Sequence, residues 1–218
     1  MRTDQEMMDL IIHTAQKDDR VLAAYLKGSR TNPHVLRDRY QDFDVMYVVR
    51  ETAGFIADPS WLDVFGTVIL KQEQDDDFGY GDRFGIRSNY EESYSWLLLF
   101  EDGNRIDIGV ETVQAMEKGK NRNKLFLPLL DKTGCLPQLP PPTDEEFYVT
   151  LPTVKAFRGC CNEFFWCLCD VVKGIARDEL PFAMPPAFCF MRRQFPWRKI
   201  WAASIRSRMR TVFSGMQA

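Results

Sequence analysis

Three carboxylates and one small turn hold most of the chemistry open to this sequence. Asp42 and Asp44 flank Phe43 in the run from Tyr40 to Val49, whose aromatic and β-branched residues predict a strand. Successive side chains on a strand alternate faces, so Asp42 and Asp44 share one face while Phe43 and Val45 share the other. Two anions so close repel each other unless water or a cation compensates. A divalent ion such as Mg²⁺ meets that need, because it takes hard oxygen ligands from one or two carboxylates and keeps room for substrate phosphates. A bare Asp-x-Asp is more often a solvated strand end, so its neighbours decide the matter.

The neighbours favour chemistry. Upstream, a buried strand predicted over Val21–Leu26 runs into Gly28-Ser29-Arg30 and a sharp turn ending at Pro33. Such a turn can offer backbone N–H groups and a hydroxyl to phosphate oxygens. Downstream, a strand over Tyr94–Phe100 meets a hairpin turn at Asp102-Gly103 and returns as Arg105–Val110. Alternation puts Ile106, Ile108 and Val110 inward and Asp107 on the polar face. A third carboxylate there completes a metal site or takes a proton from an attacking hydroxyl. The set suits nucleotidyl transfer, in which positioning and charge neutralisation do most of the catalysis.

The remaining elements must position these groups. Thr3 and Glu6 form a capping box for a helix carrying Met7, Met8, Leu10, Ile11 and Ile12 to about Lys17. Asp58-Pro59 starts a short helix that Gly66 stops, and Thr67–Leu70 is a further strand. Residues 73–92 read as an exposed loop. Its acidic residues Asp75, Asp76, Asp77, Glu91 and Glu92 could draw a polycation, although a solvated loop is the commoner meaning of such a run. Leu136–Pro142, rich in proline, is a stiff connector and the expected domain boundary. Beyond it Thr143–Glu146 reads as a second capping box, and a helix apolar around most of its girth is predicted from about Thr153 to Leu180. The expected fold is α+β. A small mixed sheet flanked by helices fills residues 1–136, a helical segment fills 143–184, and a basic tail fills 185–218.

Composition bounds the rest. At 45% hydrophobic and 27% charged residues, the 218-residue chain is that of an ordinary globular protein. No apolar run reaches the roughly 18 residues that span a bilayer, and the start lacks a signal-peptide layout, so a cytoplasmic product without membrane contact is expected. Four of the six cysteines fall within residues 160–169 without a Cys-x-x-Cys pair, and His13 and His34 are distant, so buried free thiols are expected rather than zinc. Residues 1–184 hold 21 basic and 31 acidic side chains, whereas 185–218 hold seven basic and no acidic ones. The two parts have net charges of −10 and +7, within a total of −3.

Longer motifs narrow the chemistry further. Gly28-Ser29-Arg30 followed by Asp42-Phe43-Asp44 resembles the signature of the nucleotidyltransferase superfamily. Gly28–Pro33, Gln41–Asp44, Phe100–Asp107, Cys161–Phe164 and Val171–Leu180 are similar to the aminoglycoside 6-adenylyltransferases. That resemblance covers about residues 1–184. It implies transfer of AMP from Mg·ATP to a hydroxyl of streptomycin, with release of pyrophosphate and antibiotic resistance, and no nucleic-acid partner. It also implies that Gly28 and Ser29 hold the ATP phosphates with Arg30 close by, and that Asp42 and Asp44 bind Mg²⁺. Asp107 takes the family's third acidic position, as ligand or general base, and Lys173 is a weaker candidate for a phosphate contact. Relatives of this kind continue into a longer helical domain that helps form the acceptor site. Pro185-Pro186 and the charge reversal after Met184 therefore raise two further expectations: a frameshifted or substituted end, or a basic arm for an anionic partner. A truncated, catalytically impaired nucleotide-binding remnant is the alternative function.

Overall fold

The capping box at the first helix forms as its residue types require. Glu6 N donates to Thr3 Oγ1 at 3.3 Å and Thr3 N donates to Glu6 Oε2 at 2.7 Å, opening α1 (Asp4–Lys17). These coordinates come from a computed structural model, which describes residues 2–76, 88–119, 124–147 and 152–184. The chain divides into two compact units, residues 1–146 and 147–218. That division falls a few residues beyond the Leu136–Pro142 connector. The connector belongs with the first unit, where Leu136 and Leu139 pack against its apolar surface.

The first unit is built on one six-stranded sheet of β1 (Val21–Lys27), β2 (Phe43–Val49), β3 (Val68–Gln72), β4 (Ser93–Phe100), β5 (Arg105–Thr112) and β6 (Phe126–Asp131). Its order is β3-β4-β5-β2-β1-β6, with β2 and β5 parallel and every other pair antiparallel. The α+β fold with a mixed sheet is thus present. β2 starts at Phe43 rather than Tyr40, because Asp38–Gln41 form a turn and Tyr40 stands exposed. Pro59–Phe65 is a 3₁₀ rather than an α-helical segment, capped by Asp58 as expected and stopped by Gly66.

Alternation along the strands gives the sheet two faces of different character. One face carries Phe43, Val45, Tyr47, Val49, Ile106, Ile108 and Val110, and packs against Met7, Ile11 and Ala15 of α1, Phe55 of the short helix α2 (Ala53–Ala57), and Phe65. Trp61 stacks edge-on to Phe55 and Trp96 and closes this core. The other face is covered at one end, where α3 (Val113–Gly119) brings Met116 onto Ala23, Tyr25, Met46 and Val48. Gly109 on this face lets the sheet close up, since a Cβ there would lie 2.8 Å from Met46 Sδ. Toward the far end of the same face lie Lys27, Asp44 and Asp107, all half-buried. Neither α3 nor β6 was foreseen from the sequence.

The second unit contains α4 (Val154–Ala176), opened by Thr153, which accepts from Ala156 N at 3.1 Å. It ends earlier than the expected Leu180, because Asp178 adopts a left-handed conformation with φ of 57°. The proposed second capping box yields only a single 3₁₀ turn, Glu145–Phe147. Among the described residues the cysteines form no disulfide, as expected, but those of α4 are not buried: Cys160, Cys161 and Cys167 are half-buried and Cys169 is exposed. In the acidic loop, Asp75 accepts from Ser88 at 2.9 Å and Glu92 pairs with Lys118 at 2.6 Å, while Asp77 lies outside the described residues. No helix among the described residues is long and apolar enough to cross a membrane.

Ile11 is fully buried between α1 and the sheet, whereas Leu36 is 90% exposed. Ile11→Ala is expected to cost about 2–5 kcal/mol in a denaturant titration, and Leu36→Ala less than about 0.5 kcal/mol. Equal midpoints for the two variants would contradict the assignment of the core.

Candidate active site

The site begins where β1 ends. Lys27 is in register with Asp44 across the antiparallel β1–β2 pair, and Asp44 is in register with Asp107 across the parallel β2–β5 pair. One transverse row on one sheet face therefore reads Lys27, Asp44, Asp107. Asp42 stands just before β2 and lies near Asp107, so all three carboxylates foreseen from the sequence come together.

Gly28 follows directly, in a left-handed conformation with φ of +74°. A Cβ at this residue would lie 2.2 Å from Asp44 Oδ2, so the carboxylate rests against bare backbone. A 3₁₀ turn, Gly28–Thr31, carries the chain away, tied by Thr31 Oγ1 donating to Gly28 O at 2.9 Å. Ser29 is exposed at the tip of that turn.

Arg30 points elsewhere. Its side chain is only 3% exposed, and its Nε and Nη2 donate to the carbonyls of Asp42 and Gln41 at 3.0 and 2.7 Å. Its Nη1 reaches Asp4 at 2.7 Å, and its guanidinium lies 3.6 Å over the Phe43 ring. Arg30 thus clamps the entry to β2 onto α1. Lys173 belongs to the second unit, where it pairs with Asp170 at 3.1 Å.

The cation nearest the carboxylates is one that the sequence reading passed over. Arg105 donates from Nε and Nη2 to the two oxygens of Asp107 at 2.9 and 2.8 Å, and its Nη1 lies 3.3 Å from Asp42. The signal was available, because residues two apart on a strand share a face. Deeper on the same face, Tyr25 donates its hydroxyl to the buried Glu111. Burial raises the pKa of both groups.

Burial pushes the Asp44 carboxyl up to about 6, with the Asp107 charge adding to the effect and Lys27 opposing it. Burial also raises Asp42, against the pull of Arg105. Asp44 is therefore the carboxylate least compensated by the protein itself. Among the described residues, no three acidic, cysteine or histidine side chains form a ready cage for a metal ion, and Arg105 holds two of the carboxylates. The donor set still fits a hard divalent cation: every donor is a carboxylate oxygen, one is short of positive charge, and a guanidinium already bridges the other two.

Comparison with known proteins places the chain in a family. The profile of the family described as streptomycin adenylyltransferase matches residues 1–215. The chain belongs to that family. The match runs past Met184, where the resemblance was expected to end, so the charge reversal is not its limit. An aminoglycoside 6-adenylyltransferase of Bacillus subtilis is 36% identical over 84% of this chain and 63% of its own length. One of Campylobacter jejuni is 32% identical over 94% and 69%, and one of Staphylococcus aureus is 30% identical over 84% and 64%. The chain thus spans about two thirds of the length of these relatives. A crystal structure of an aminoglycoside 6-adenyltransferase from Bacillus subtilis is 28% identical, with a TM-score of 0.49, over 86% of this chain and 62% of that one.

Two outcomes follow for this streptomycin adenylyltransferase-family site. The Asp44 carboxyl sits near 6 in the folded chain against 3.8 ordinarily, so its contribution to stability is present below about 3.8 and lost as pH rises through about 6. Asp44→Asn is accordingly expected to melt at a higher temperature than wild type at pH 7.5 in EDTA, with the gap closing below pH 4; a lower melting temperature at pH 7.5 would contradict this. Gly28→Ala is expected to destabilise by about 1–3 kcal/mol from backbone strain and crowding. That cost should fall by more than about 0.5 kcal/mol in an Asp44→Ala background, since the two sites touch. Strict additivity of the two changes would separate them.

Proposed function

We propose that the first unit binds Mg·ATP and transfers its AMP to a hydroxyl of an aminoglycoside, streptomycin at its 6-position, with release of pyrophosphate. The observation that carries this reading is the lateral register of Asp44 and Asp107, with the Gly28 backbone packed against Asp44. The names of the relatives supply the acceptor class.

Asp42, Asp44 and Asp107 would hold the Mg²⁺, which when bound supplies positive charge to the triphosphate oxygens. The protein's own share is placement. β2 and β5, bonded side by side, keep Asp44 and Asp107 at a fixed spacing, and Arg30 keeps the start of β2 against α1. The Gly28–Ser29 turn has an open backbone and an exposed hydroxyl for the phosphates. Lys27, one residue before that turn, adds a cation on the same face. In this role Arg30 is a positioning residue.

The test is direct. The purified 218-residue chain, given Mg·ATP and streptomycin, should yield AMP-streptomycin and pyrophosphate in equal amounts. EDTA should abolish the reaction and Mg²⁺ restore it. Asp44→Asn should lower turnover by on the order of 10²–10³, the scale on which a lost electrostatic contact affects catalysis. Unchanged turnover in that variant would contradict the proposal. Binding of ATP without any transfer would confine the reading to its nucleotide half.

A further inference from the structure

Arg105 occupies a chemically contested place. Its fork engages both oxygens of Asp107 and reaches Asp42, so one guanidinium satisfies two of the three carboxylates proposed to hold a metal ion. The pairing is not a buried strut of the Arg30 kind. The Arg105 side chain is 41% exposed, against 3% for Arg30, and among the described residues only carboxylates hold its head group. A cation entering among Asp42, Asp44 and Asp107 needs the same oxygen lone pairs, and a guanidinium and a divalent ion repel each other at contact distance.

We propose that Arg105 is an exchangeable counter-ion: it neutralises Asp42 and Asp107 while the site lacks a metal, is displaced when a divalent cation binds, and then pairs with the phosphates of the nucleotide. This rests on reading the three carboxylates as a cation site. The displaced head group stays tethered at the first residue of β5. It then has all of its donors free beside a bound polyanion, whose oxygens the planar fork fits in pairs. Arg105 therefore acts with opposite sign on the two ligands, hindering the metal alone and helping the nucleotide once the metal is in place. A merely structural arginine would weaken both when removed.

Mn²⁺ binding to the full chain, followed through the electron-paramagnetic signal of the free ion, reads the first effect. Mn²⁺-dependent ATP binding without acceptor, followed by calorimetry, reads the second. Arg105→Gln should bind Mn²⁺ alone roughly fivefold more tightly, the size expected from removing a partly exposed ion pair, and bind ATP roughly tenfold more weakly at saturating Mn²⁺. Arg105→Lys, which keeps the charge but loses the fork, should fall between wild type and the glutamine variant in both assays, and guards against a folding defect in one variant. Unchanged or weaker Mn²⁺ binding by Arg105→Gln overturns the counter-ion role. Tighter Mn²⁺ with unchanged ATP overturns the transfer to phosphate. Asp44→Asn run alongside keeps the underlying reading separate: if it binds Mn²⁺ as wild type does, the cation site itself falls.

Discussion

Three carboxylates crowded at one end of one sheet face impose the constraint to which the surrounding residues answer. Asp44 faces Asp107 across a parallel strand pair with Asp42 close by, and burial strips water from Asp44 most of all. Their mutual repulsion is opposed from both sides, by Lys27 on β1 and by Arg105 on β5. Gly28 gives Asp44 room by having no side chain at all. A sheet face arranged in this way carries unbalanced negative charge in a confined space, which is the condition that a divalent cation relieves.

Two arginines near the site do opposite work. Arg30 is buried, bonded to two main-chain carbonyls, one carboxylate and the face of one ring, so it fixes where β2 begins. Arg105 is half in solvent and, among the described residues, its head group is bonded only to acidic side chains. The first holds the frame and the second balances charge within it. Arg30 directly follows the Gly28-Ser29 turn in sequence, yet its guanidinium turns back toward α1.

Much of this was legible in the sequence because two periodicities are strong. The hairpin of β4 and β5 alternates cleanly, so the outward placement of Asp107 followed from period two, and Thr3 with Glu6 located α1. The parallel pairing that sets Asp44 beside Asp107 joins residues more than sixty positions apart, and no local pattern records it. β6 escaped notice because Pro128 breaks its pattern, which a sheet edge tolerates. α3 is too short for helical periodicity to stand out. The direction of Arg30 was hidden for another reason: an arginine's charge is visible in sequence, whereas the groups that take up its donors are set by tertiary contacts.

The proposed arrangement makes Asp42, Asp44 and Asp107 a single cation site shared with the nucleotide. A crystal grown with Mn²⁺ and a non-hydrolysable ATP analogue tests it most directly, through the anomalous signal of the metal. A peak is expected within coordination distance of Asp44 and Asp107, next to the analogue's phosphates, with Arg105 turned away from Asp107. A peak elsewhere, or none beside an intact Arg105–Asp107 fork, would contradict it.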